Sequence, residues 1–291
     1  MVFVKERLNW IMQIWLPLPV WKRLDAAVIL IGLYTVLVNA IVVAQKLELP
    51  KWLGEISLLN GILLGVLLGF RNREAYERWW EARKLWGQLI NDSRSLCLKV
   101  AALSLEANES RLRFQRCIVG YAFALKFHLR GSDALAEVPG YEGEIATPKH
   151  APVYILQQLH VVVRHWRTTE QIHDVDLLLL DPHLRGFADV CGACERILSS
   201  PVPMSYRALL RHGTLFYLLS APWFLTGEYG FWAVAVVGLL AYFLLGIEFT
   251  AEDVEEPFGK DGDDLELTRF CHVIRESVDE IFDRNPDVAN R

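Results

Sequence analysis

Residues 61–72 read Gly-Ile-Leu-Leu-Gly-Val-Leu-Leu-Gly-Phe-Arg-Asn, and the spacing within them decides the fold class. Gly61, Gly65 and Gly69 recur every four residues, so on an α-helix they form one slowly drifting stripe. Ile62, Val66 and Phe70 form a second stripe one position further round. Small residues at this spacing let helix backbones approach closely within a bilayer. If several copies of such a helix surround an axis, the apolar stripe stacks into rings of side chains along it. Plain helix packing produces the same glycine spacing, so the stripe alone leaves two readings open: packing seam or pore wall. Arg71 ends the apolar run abruptly.

The composition agrees with a membrane setting. Of 291 residues 53% are hydrophobic, and the mean hydropathy is positive at +0.22. That is too apolar for an ordinary soluble domain, yet 22% charged is too much for a chain buried wholly in lipid. Both hold if apolar and charged residues are segregated along the chain, and they are. A net charge of −5 leaves no basic footprint for nucleic acid. Five cysteines, an odd number in a chain of this size, do not form a disulfide framework and are expected as reduced thiols.

Working back from the opening stretch, the second apolar helix spans 56–70, short for a lipid-exposed crossing and suited to one surrounded by protein. A connection from Gln45 to Glu55 precedes it. Before that, residues 26–44 carry no charge, hold Asn39 as their one strongly polar side chain, and are long enough to cross the hydrocarbon core. Residues 1–25 combine Lys5, Arg7, Lys22 and Arg23 with Trp10, Trp15 and Trp21, and are read as an interfacial segment, with Pro17 and Pro19 breaking any long helix.

Working forward, the chain changes character over 71–207. Arg71, Arg73, Glu74, Glu77, Arg78, Glu81, Arg83 and Lys84 alternate in sign at helical spacing, so the second helix is expected to continue as a charged, partly packed helix. Further helices are expected over 96–105, 112–129, 152–166 and 184–198, with a loop at 131–149 and almost no sheet. Pro201 and Pro203 close this region. Residues 209–226 and 231–246 are the third and fourth apolar helices, within a membrane region spanning 208–248, with Pro222 kinking or ending the third. An acidic loop and a last amphipathic helix over 265–282 occupy 249–291. The fold class is therefore all-α: four membrane helices, grouped 26–70 and 208–248, around a large helical domain. Lys and Arg cluster before the first crossing and after the second, which places both termini and that domain in the cytoplasm.

At Gly69-Phe70-Arg71-Asn72, and again at Glu81-Ala82-Arg83-Lys84-Leu85-Trp86-Gly87-Gln88-Leu89, the chain resembles the bacterial branch of the bestrophin family. The likeness continues through Cys194-Glu195-Arg196-Ile197, Pro201-Val202-Pro203 and Glu255-Glu256-Pro257-Phe258-Gly259. It implies a homopentameric ion channel of the bacterial inner membrane, passing chloride or, in the bacterial branch, sodium across the lipid bilayer. It also implies a pore neck at Ile62, Val66 and Phe70, with Gly61, Gly65 and Gly69 packing beside it. A second, cytosolic narrowing falls near Val175 by spacing back from Cys194. Eukaryotic members hold calcium in the acidic loop, which corresponds here to Glu256, Asp261, Asp263 and Asp264. Lys260 and Gly262 replace carboxylates in that loop, which argues against a calcium site. No cofactor is required, and a divalent ion in this loop is the one candidate.

Cys191-Gly192-Ala193-Cys194 is a C-x-x-C pair, but both flanks are helical, and zinc there would need Cys97, Cys117 or His183 to converge. His160 and His165, five apart, are poorly spaced to share an ion. No phosphate-binding glycine loop, H-E-x-x-H or nucleophile with a base suggests an enzyme. A secondary transporter would show mid-membrane ionisable residues and repeated halves, which the four spans lack. A non-conducting sensor using the helical domain is the third class.

Overall fold

The computed structural model describes residues 19–47, 50–103, 105, 109–146 and 148–283. The interfacial reading of 1–25 therefore lies mostly outside the described residues. Among those described, eight α-helices and two short 3₁₀ turns make up the regular structure, and there is no strand. The helices are α1 (Pro19–Gln45), α2 (Lys51–Ala102), α3 (Glu109–Leu129), α4 (Ala151–Thr168), α5 (Asp174–Ser199), α6 (Met204–Tyr229), α7 (Ala233–Glu255) and α8 (Leu267–Asp283). The chain divides into two units, one of 1–77, 202–255 and 261–263, the other of 78–201, 256–260 and 264–291.

The first unit holds α1, the first half of α2, α6 and α7. Its core is small: Ile31 of α1 meets Leu218 and Ala221 of α6 and Val237 and Ala241 of α7. Most other apolar side chains on these helices point outward, among them Leu30, Leu33 and Leu37 of α1 and Phe216 and Leu239 on the other two. Water would not tolerate so much exposed hydrocarbon, whereas lipid is its natural solvent. Three stretches are long and apolar enough to cross a membrane, Trp21–Gln45, Gly54–Ala102 and Met204–Glu255, and the last contains both α6 and α7. Hydrogen bonds join the helices: Asn39 Nδ2 donates to the Gly230 carbonyl at 2.7 Å, Tyr34 Oη to the Leu219 carbonyl at 2.9 Å, and Trp223 Nε1 to Tyr34 Oη at 2.9 Å. Asn39 thus satisfies a carbonyl at the α6–α7 turn, where Gly230 sits at φ +55°, a backbone that favours glycine.

The second unit has a conventional aromatic core. Its centre is α3, buried along most of its length, with α4 and α8 packed against it. Phe114 lies 5.3 Å from Trp166 and 6.2 Å from Phe282, so one ring ties three helices together. Trp86 and Leu89 of α2 and Phe187 of α5 complete the same cluster.

Several boundaries differ from the sequence reading. Pro19 starts α1 and does not break it, in keeping with the tolerance of proline in a first helical turn. Residues 96–102 belong to α2 and not to a separate helix, because Asn91-Asp92-Ser93 does not interrupt it; Ser93 Oγ bonds the Leu89 carbonyl at 2.7 Å while the chain stays helical. α5 begins at Asp174, ten residues before the expected start, and carries Pro182 inside it. Pro222 likewise lies within α6 without ending it. Residues 249–255, expected as the start of the acidic loop, are the last two turns of α7.

Candidate functional site

In the first half of α2 the two faces differ sharply. Leu64, Leu68, Arg71 and Ala75 are buried, the last three completely. Ile62, Val66 and Phe70 are 59%, 51% and 56% exposed. Sequence spacing places these three on one stripe, and among the described residues that stripe stays at least half exposed in the single subunit. At about 1.5 Å of rise per residue they occupy three levels some 6 Å apart, over about 12 Å of helix. The glycines divide. A methyl on Gly61 would come within 2.7 Å of the Tyr217 hydroxyl, so that glycine admits a ring of α6 from the same subunit. Gly65 and Gly69 face open space.

The apolar run ends in a buried ionic cluster that the sequence reading did not assemble. Arg71 Nη2 donates to Glu255 Oε2 at 2.6 Å, and Arg71 Nε lies 3.9 Å from Glu248 Oε2. Glu248 also receives Arg211 Nε at 3.3 Å, and Arg211 Nη2 lies 2.8 Å from Glu252. Glu255 Oε1 accepts the Val202 N–H at 3.2 Å and stands 4.0 Å from Arg207. Three arginines therefore meet three carboxylates at the end of the greasy segment. Arg71, the residue that ends the run in the sequence, is fully enclosed. The signal was present in the spacing of Glu248, Glu252 and Glu255, which share one helical face once 249–255 is helical.

The remaining predicted residues separate. Val175 is exposed in the first turn of α5. Glu256 and Asp264 fall in the second unit and Asp261 and Asp263 in the first. Cys191 and Cys194 are buried free thiols on α5; burial raises both, Cys191 to about 12 with the Glu195 carboxylate adding to the rise. His183 does not join them: it bonds Asp92 Oδ1 at 3.0 Å and Lys99 Nζ at 2.8 Å. Among the described residues the side chains that could hold a metal ion are His128, His150 and Glu195, none of them a candidate from sequence. Partial burial would raise the Glu195 carboxyl, but the hydrogen bonds and charges of His150 and His128 outweigh it and hold the group below the ordinary glutamate range.

Comparison with known proteins bears on this arrangement. The family profile described as Bacterial/Fungal Bestrophin protein matches residues 5–280. A voltage-dependent anion channel-forming protein of Nostoc sp. is 32% identical over 80% of this chain and 79% of its own. The YneE protein of Escherichia coli K12, of the same description, is 28% identical over 74% of this chain and 72% of its own. Among solved structures, a mutant of a bacterial bestrophin homologue from Klebsiella pneumoniae superposes with a TM-score of 0.82 at 25% identity, covering 89% of this chain and 99% of that one. The chain belongs to the bacterial and fungal bestrophin family.

Proposed function

We propose that this protein is the subunit of an anion channel in the bacterial inner membrane, assembled as a homopentamer with α2 lining the pore. α1, the first half of α2, α6 and α7 are the four crossings, with both termini and the second unit in the cytoplasm. Ile62, Val66 and Phe70 form the neck, three apolar rings that can dewet and so gate without binding an ion tightly. Gly65 and Gly69 give neighbouring copies of α2 room to approach, and Val175 lines a second narrowing. The observation that carries this reading is the apolar stripe on α2, whose three side chains stay at least half exposed among the described residues of the single subunit. Chloride is the permeant ion by analogy with relatives described as anion channel-forming.

Sodium is the second reading, and a specific feature favours it. Glu74 is exposed one turn beyond Phe70 on the same face, and five copies would ring the exit with carboxylates. Reversal potentials of the purified protein in a planar bilayer under asymmetric NaCl separate the two. A reversal displaced toward the chloride equilibrium potential supports the anion channel, and displacement toward sodium supports the second reading. The triple variant I62A/V66A/F70A should raise conductance or hold the channel open. Wild-type currents from that variant would remove these residues from the neck.

A further inference from the structure

Outside the pore helix, three side chains from three elements converge in the second unit. His128 lies near the end of α3, His150 stands at the N-cap of α4 and Glu195 sits in the last turns of α5. His128 Nε2 is 2.8 Å and His150 Nε2 is 2.6 Å from the same oxygen, Glu195 Oε1. The two imidazoles stack with centroids 4.3 Å apart, and the three ligand atoms lie within 4.8 Å of one another. On the far side of His128, Nδ1 is 2.8 Å from Asp133 Oδ1, which also accepts the Ala151 N–H at 3.0 Å. The cluster is partly open to solvent, so an ion can reach it.

His128 faces a carboxylate oxygen at each ring nitrogen. A neutral imidazole has one N–H. If Asp133 accepts the Nδ1–H of a neutral ring, the Nε2 lone pair points at an anionic oxygen of Glu195, so either a second ring proton or a metal cation stands between them. Two imidazole nitrogens and one carboxylate oxygen with a fourth position for water is a ligand set suited to zinc. A carboxylate on the distal N–H is the partner that fixes the ring and strengthens such a ligand. A hard cation such as calcium needs more oxygens than the single carboxylate here supplies.

We propose that His128, His150 and Glu195 bind a divalent transition-metal ion of the zinc type, with Asp133 orienting His128. With metal–ligand bonds of about 2.05 Å, tetrahedral ligand atoms stand about 3.3 Å apart. The observed spacings of 2.6 and 2.8 Å must therefore open by roughly half an ångström, which partly exposed side chains can do. His150 gives something up. Its Nδ1 accepts the Val153 N–H at 3.4 Å, and ligation through Nε2 puts a proton on Nδ1 and ends that long contact. The site joins the end of α3, the start of α4 and the end of α5, so an occupied site would clamp three helices of the second unit.

The test uses full-length protein in detergent, stripped with a chelator and then loaded with Zn²⁺ or Co²⁺ alone. One zinc per subunit by mass spectrometry, and visible cobalt bands of tetrahedral intensity, are expected. H150Q and E195Q should lose at least nine-tenths of the bound zinc, and D133N should weaken affinity tenfold or more. H160Q, which changes an exposed histidine outside the cluster, should keep it, and zinc should raise the melting temperature of the wild type and H160Q but not of H150Q or E195Q. The site is overturned if the wild type retains no stoichiometric ion, or if H150Q and E195Q bind zinc as the wild type does. It is equally overturned if E195Q lowers the melting temperature while zinc leaves the wild type unmoved, since the cluster then only shares protons. None of these readouts depends on ion conduction.

Discussion

The cluster at Arg71 makes the sharpest stability prediction. Arg71 is fully buried, the Glu255 side chain is 3% exposed, and their ion pair measures 2.6 Å. Among the described residues Arg71 Nε and Nη1 have no hydrogen-bond partner, so in E255Q the guanidinium would keep, of those residues, Glu248 at 3.9 Å as its charge partner. Breaking a buried pair from one side costs about 3–5 kcal/mol, because an uncompensated charge stays out of water. At about 2–4 °C per kcal/mol, the melting temperature should fall by roughly 6–20 °C. R71M should cost less, since Glu255 keeps the Val202 N–H and Arg207, and Glu248 keeps Arg211. The six groups are balanced, three positive against three negative. R71M leaves an excess of one negative charge, E255Q an excess of one positive, and the double variant restores the balance. R71M/E255Q should therefore recover about half or more of the E255Q loss, a coupling that independent sites lack. The assay is thermal unfolding of detergent-solubilised protein, followed by size exclusion at one fixed scan rate. Losses in the two single variants that simply add in the double variant would refute the reasoning.

Other outcomes follow from the same structure. G61A should leave the isolated subunit about 1–3 kcal/mol less stable than G65A does, because its methyl meets the Tyr217 hydroxyl and ring whereas a methyl on Gly65 meets open space within the subunit; equal effects would contradict the packing described. N39L should cost about 0.6–1.7 kcal/mol by removing the side-chain donor to the Gly230 carbonyl, which keeps the Ala233 N–H, read as a lower melting temperature that N39S partly restores. Cys191 and Cys271 are both pushed up to about 12 by burial, against 9.0 ordinarily, so at pH 8 their maleimide labelling should be about a thousandfold slower than in the denatured chain. The same shift makes stability pH-dependent. Both thiols hold their protons longer when folded, so their contribution is complete below pH 9 and is lost as pH rises toward 12. Rapid labelling of native Cys191 at pH 8 would instead favour the sensor reading.

What could be read from the sequence followed from how each feature is encoded. The apolar helices were legible because lipid imposes a local requirement, a run of uncharged residues of fixed length, and the stripe at 62, 66 and 70 because helical spacing is local too. In the structure that stripe is more than half exposed on α2, and the boundaries that local rules misplaced have identifiable causes. A helix is expected only over 184–198, yet α5 begins at Asp174 and contains Pro182; there the Asp176 carboxylate accepts the His173 N–H at 2.8 Å and the N-terminus is capped. The helix passes through the proline. The Leu178 carbonyl loses its donor at Pro182, and Lys99 Nζ reaches from α2 to bond the next carbonyl, Leu179, at 2.9 Å. A lysine eighty residues away is invisible to any window around the proline.

The same distinction separates the two polar clusters. Glu248, Glu252 and Glu255 repeat at helical spacing, so half of the Arg71 cluster was written locally and was lost only because a run of carboxylates reads more easily as a solvated loop. His128, His150 and Glu195 repeat at no period. They belong to three helices and meet only because α3, α4 and α5 pack around shared aromatic side chains. Nothing in the aromatic packing requires a histidine or a glutamate at these positions. Apolar or neutral polar residues would avoid the facing of His128 Nε2 and the Glu195 carboxylate, which needs a ring proton or a metal cation between them. The hydrophobic core therefore accounts for where these three residues lie but not for what they are, and ion binding would supply the missing reason.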